Sequence, residues 1–163
     1  MRTAVAAVFF IYLLCQSVSD ARTMRVYVWA NNAALAFGAV VFALYEARCA
    51  FPGAAAVELA LVSLFIAMVT NGSPGSVCKT YGTGDAKAVV AMYMSAHAFD
   101  GGGAVPSASL AFALVALLVA NVSFLIWNAP RRGGSRRAFF PFLAAGYASA
   151  VALFAWRFGF GTY

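Results

Sequence analysis

The sequence predicts an all-α polytopic membrane protein, a bundle of four transmembrane helices behind an N-terminal signal peptide or signal-anchor helix. Three observations carry this expectation. The 163 residues are 64% hydrophobic and 10% charged, with a mean hydropathy of +0.84, whereas a soluble domain is about 25% charged. A soluble fold of this length has too little interior for so much apolar surface, so lipid must solvate part of it. The apolar residues fall in five long runs separated by short polar breaks. One break, Arg131-Arg132-Gly133-Gly134-Ser135-Arg136-Arg137, holds four of the eleven basic residues, and arginines beside a span tend to stay cytoplasmic.

The first run, Ala4–Val18, follows Met1-Arg2-Thr3 and leads to Ser19-Asp20-Ala21. Residues 1–21 thus have the basic start, apolar core and small-residue exit of a secretory signal peptide. Read instead as an uncleaved anchor, the run's 15 residues reach only about 22 Å, short of a hydrocarbon core of about 30 Å. Residues 26–45 form an uncharged second run with Trp29 and Tyr45 as interfacial anchors, and Pro52-Gly53 lies beyond its end. The third run, 54–70, carries Glu58 one turn in and stops at Asn71-Gly72-Ser73-Pro74-Gly75. The fourth, 107–127, is uncharged, opened by Pro106 and closed by Asn128-Ala129-Pro130. The last, 138–156, has Pro141 in its first turn, where proline costs little.

Residues 22–163 are therefore expected to form a four-span domain with an outer loop at 71–106 and a basic cytoplasmic loop at 128–137. Inside the outer loop, Ala86–Phe99 is apolar but only 14 residues long, flanked by Asp85, Lys87 and Asp100. A helix lying on the outer surface, or dipping into it, fits that length better than a further span. With the first segment leaving the cytoplasm, six basic residues fall inside (Arg2, Arg48, Arg131, Arg132, Arg136, Arg137) and five outside.

Candidates for chemistry are few. Glu58 is the one ionisable residue within a confident span, and an intramembrane carboxylate is a functional suspect by default. Its plainer use is to pair with Arg48 or with the Arg131–Arg137 loop. Asn31 and Asn32 near the outer interface, and Asn121 in the fourth run, are expected to hydrogen-bond between helices rather than line a polar path. The sequons at Asn71 and Asn121 lie against or inside the membrane and are expected to be unused. His97 is the only histidine, and no credible catalytic nucleophile stands near it in sequence. Cys15, Cys49 and Cys78 make no metal-ligand or CxxC spacing. No cofactor or metal is expected.

The small residues around Gly38 and Gly146 prepare close helix packing. These features point to a non-enzymatic membrane protein: a structural, assembly or trafficking component of a secretory-pathway, surface or viral-envelope membrane. A small transporter or channel subunit using Glu58, and an accessory subunit of an organellar membrane complex, are the alternatives. Expected partners are the bilayer itself, with anionic headgroups at Arg131, Arg132, Arg136 and Arg137, and another membrane protein or a second copy. The +6 formal charge flanks apolar spans and forms no stripe of the kind that binds nucleic acid.

Overall fold

The computed structural model describes residues 2–23, 25–48, 53–70, 83–99, 107–128 and 138–158. Six α-helices account for nearly all of them: α1 Arg2–Thr23, α2 Val28–Glu46, α3 Ala54–Thr70, α4 Thr83–Ala96, α5 Ser107–Asn128 and α6 Phe140–Phe158. A 3₁₀ turn, His97–Phe99, continues α4. Among the described residues there is no strand. Among the described residues three helices, α1, α2 and most of α5, are long and apolar enough to cross a membrane.

The runs beyond residue 21 became helices close to their expected bounds. The first became longer than its apolar stretch. Helix α1 has 22 residues, about 33 Å at 1.5 Å each, because the polar residues that end the run are satisfied inside the fold. Ser17 Oγ donates to the Leu13 carbonyl one turn back. Gln16 exchanges two 3.0 Å bonds with the backbone N–H and carbonyl of Tyr27. The Asp20 carboxylate is also buried.

The chain divides into two compact units, residues 1–27 with 111–163, and residues 28–110. In the first, α1 packs on α6, and Phe9, Leu13, Phe112, Phe140, Leu143 and Tyr147 fill the interior. Tyr147 is its hub, with ring centroids 5.2 Å from Phe9 and 5.4 Å from Phe112, distances at which aromatic pairs attract beyond simple burial. Helices α5 and α6 approach so closely at Gly146 that a Cβ there would overlap the Ala116 carbonyl. Asp20 Oδ2 accepts the Phe139 and Phe140 N–H groups at 2.8 and 3.1 Å. The end of α1 therefore sits at the start of α6, and the two helices run antiparallel.

In the second unit α4 lies along α2, and the two run parallel. Asn31 Nδ2 donates to the Gly84 carbonyl at one end, at 3.2 Å. Gly38 faces Ala91 and Met94 midway. Phe42 and Tyr45 meet His97 at the other end, each with centroids 4.9 Å from the imidazole. Over 86–99 the sequence expects a helix that lies on the outer surface or dips into it. From Ala91 to Phe99 every residue is buried. The physical reason is enclosure: Ala88, Ala91, Ser95 and Ala96 are small enough to let neighbouring backbones close in.

Elsewhere large apolar side chains point outward. On α5, Leu114, Leu118, Leu125 and Ile126 are exposed while Phe112, Ala113, Ala116 and Ala120 are buried. Such a surface suits lipid and is an aggregation hazard in water.

A Cβ on Gly38 would stand 2.9 Å from the Ala91 carbonyl oxygen, so both glycines should resist even a methyl group. Gly38→Ala and Gly146→Ala are each expected to cost about 1–3 kcal/mol by overpacking, read as a lowered unfolding midpoint in detergent. Leu118→Ala, on the outward face, should stay within about 0.5 kcal/mol of the parent.

Candidate functional site

The densest polar grouping is at the far end of the second unit, around His97. The 3₁₀ turn that ends α4 swings its ring under Phe42, Tyr45 and Tyr93, the last also 4.9 Å away between centroids. Nδ1 lies 3.1 Å from the Tyr93 carbonyl, and Nε2 lies 3.3 Å from Ser109 Oγ. A carbonyl can only accept, so Nδ1 carries the proton and Nε2 receives the Ser109 hydroxyl. Sequence reasoning missed this pair because twelve residues and a glycine run separate them; no local signal announces it.

A serine bonded to a histidine is the beginning of a nucleophilic site. Here the rest is lacking among the described residues. The imidazole's other nitrogen is held by a carbonyl where a triad has a carboxylate, and Ser109 and His97 are 0% and 1% exposed. What the contact does is join the end of α4 to the first turns of α5. Glu46 is the acidic group whose field reaches the ring. Its Oε2 accepts the Gly53 N–H at 3.0 Å, while its Oε1 is buried with no hydrogen-bond partner among the described residues. Gly53 precedes α3 with φ +97°, a left-handed conformation that glycine adopts without strain.

Glu58, one turn into α3, is half-buried. Its Oε1 has no hydrogen-bond partner among the described residues, and Tyr93 is the side chain that acts on its carboxyl. Of the two partners expected for it, Arg48 is exposed and the Arg131–Arg137 loop lies outside the described residues. Cys49 and Cys78 also lie outside them, as does Asn71, while Cys15 is a free, exposed thiol on α1.

The three asparagines separate. Asn31 is buried and ties α2 to α4 through Gly84. Asn32 is exposed and accepts Lys87 Nζ at 2.8 Å, a second tie between the same two helices. Asn121 donates to Leu117 in its own helix, at 2.8 Å. No group of three or more His, Cys, Asp or Glu side chains capable of holding a metal occurs among the described residues.

Comparison with protein families, characterised proteins and solved structures finds no match for this chain.

Ser109→Ala is expected to loosen the fold by about 0.6–2 kcal/mol, the worth of one hydrogen bond between membrane helices. A fluorophosphonate probe that traps activated serines should leave Ser109 unmodified in the folded protein. A stoichiometric adduct on Ser109 would make the pair a catalytic one.

Proposed function

We propose that the chain is a non-enzymatic multi-pass membrane protein, a structural, assembly or trafficking component of a secretory-pathway, surface or viral-envelope membrane. The observation that carries this reading is how buried polar side chains are used. Gln16, Asp20, Asn31 and the His97–Ser109 pair each bond across to another segment of backbone or another helix. A protein that conducts or transports solutes turns such groups toward a path; a packing protein turns them toward other helices. The exposed leucines and isoleucine of α5 offer an apolar surface to lipid or to a partner's helices. The arginines between α5 and α6 supply charge for anionic headgroups.

A specific observation favours a second reading, a small transporter or channel subunit. Glu58 has a buried carboxylate oxygen without a hydrogen-bond partner among the described residues, which is what a proton or cation would fill. The accessory-subunit reading needs a first segment that is never removed, and the packing of α1 on α6 favours it to that extent.

Reconstitution into sealed liposomes separates the first two. Under an imposed proton or sodium gradient, the parent and Glu58→Gln should both leak at the rate of protein-free vesicles. Flux in the parent that Glu58→Gln abolishes would replace the structural reading with the transport one.

A further inference from the structure

We propose that α4 crosses the membrane, that the chain makes six crossings, and that the segments between α1 and α2, α3 and α4, and α5 and α6 face the cytoplasm, with residue 2 and the Phe158 end of α6 on the opposite side. This rests on the reading of the chain as membrane-spanning and reverses the threading that the apolar runs alone suggest.

Two local facts support it, one in each unit, with α3 (Ala54–Thr70) taken as a crossing. In the first unit, Asp20 caps the start of α6, so the segment after α1 and the segment before α6 share one side of the membrane. Between residues 20 and 139 the chain must then cross an even number of times. Helices α2, α3 and α5 alone give an odd number and would put Asp20 and Phe139 on opposite sides. In the second unit, α4 follows α2 from Asn31–Gly84 through Gly38–Ala91 to Tyr45–His97. It therefore traverses what α2 traverses, in the same direction, and supplies the missing crossing. Ser109 meets His97 at the far end, where α5 must begin if it is to return. The parity is consistent at every link.

Length permits the crossing. Fourteen α-helical residues and three in the 3₁₀ turn rise about 27 Å, near the hydrocarbon thickness of about 30 Å. The charged residues of α4, Asp85 and Lys87, are confined to its beginning, and Lys87 reaches Asn32 there, as a snorkelling lysine does.

The charges then fall into a sharper division. Arg22, Arg25, Lys79, Lys87, Arg131, Arg132, Arg136 and Arg137 share one side, eight of the eleven, leaving Arg2, Arg48 and Arg157 on the other. The earlier threading divides the same residues six to five. The positive-inside rule therefore both favours six crossings and orients them. The cytoplasmic face so formed carries a net charge of +6 once Asp20 and Asp85 are counted, and the opposite face, with Glu46, Glu58 and Asp100, carries none. Anionic lipid headgroups are the partner that a face of this charge fits.

Single cysteines in the full-length chain, otherwise cysteine-free, test the threading in sealed cells with a membrane-impermeant maleimide, before and after permeabilisation. The native Cys49 and Gly102→Cys should label from outside; the native Cys78 and Ser135→Cys should label only after permeabilisation. A position that stays silent throughout is read at a neighbour, Ser73→Cys for Cys78 or Gly101→Cys for Gly102. Cys78 and Gly102→Cys on the same side would mean that α4 does not cross, and would overturn the proposal. So would Cys78 outside with Cys49 inside. A chain that alkaline carbonate strips from membranes would overturn the membrane reading itself, which distinguishes the two failures.

Discussion

A single carboxylate, Asp20, fixes how the first unit is assembled. The first turn of any helix leaves backbone N–H groups without intrahelical acceptors, and at the start of α6 each one is accounted for. Asp20 Oδ2 takes those of Phe139 and Phe140, Pro141 has none, and those of Phe142 and Leu143 reach the Phe139 carbonyl. A negative charge at this end of a helix is also favoured by the helix dipole. Hydrogen bonds to a charged group are worth about 1.5–3 kcal/mol each, and here they join positions 119 and 120 residues apart. The aromatic stack of Phe9, Tyr147 and Phe112 closes over the same antiparallel pair, so apolar packing and the polar tie specify one arrangement.

The second unit uses a different device for the same end. Gly38 removes the side chain that would hold α2 and α4 apart, and the amide of Asn31 and the ring of His97 set their register at the two ends. Hydrophobic burial does little to bring helices together in lipid, so close contact and hydrogen bonds have to do it. Asn31 and His97, polar residues singled out in the sequence, each bond across to another helix or its approach. Glu46 and Glu58 are the exceptions: each keeps a buried oxygen without a hydrogen-bond partner among the described residues, and they are where a transport activity would have to be sought.

The helices were legible wherever the sequence holds a long uninterrupted apolar run, the pattern that a lipid solvent demands. The runs at 54–70 and 107–127 reappear as α3 and α5 with little change. Helix α4 was harder to read for the converse reason. An enclosed helix is solvated by protein, so it can be shorter, more polar and richer in small residues than any length or hydropathy rule expects. The end of α1 was hidden by its own chemistry. Gln16 and Asp20 read in sequence as part of a signal peptide's exit, and their bonds to Tyr27 and Phe139 lie too far along the chain for a local pattern to announce. The same distance concealed Ser109 from His97. Of the candidate site residues, Asn31 and Asn32 both bond to α4, the kind of contact that amides make between apolar helices. Asn121 donates to Leu117 within its own helix.

The tie between Asp20 and the start of α6 is tested most directly by N-terminal sequencing and intact mass of the chain isolated from membranes. The account predicts that residues 2–21 remain attached, with Asp20 present to cap α6. A mature chain beginning at Arg22 would contradict it, since the residue that assembles the first unit would then be gone.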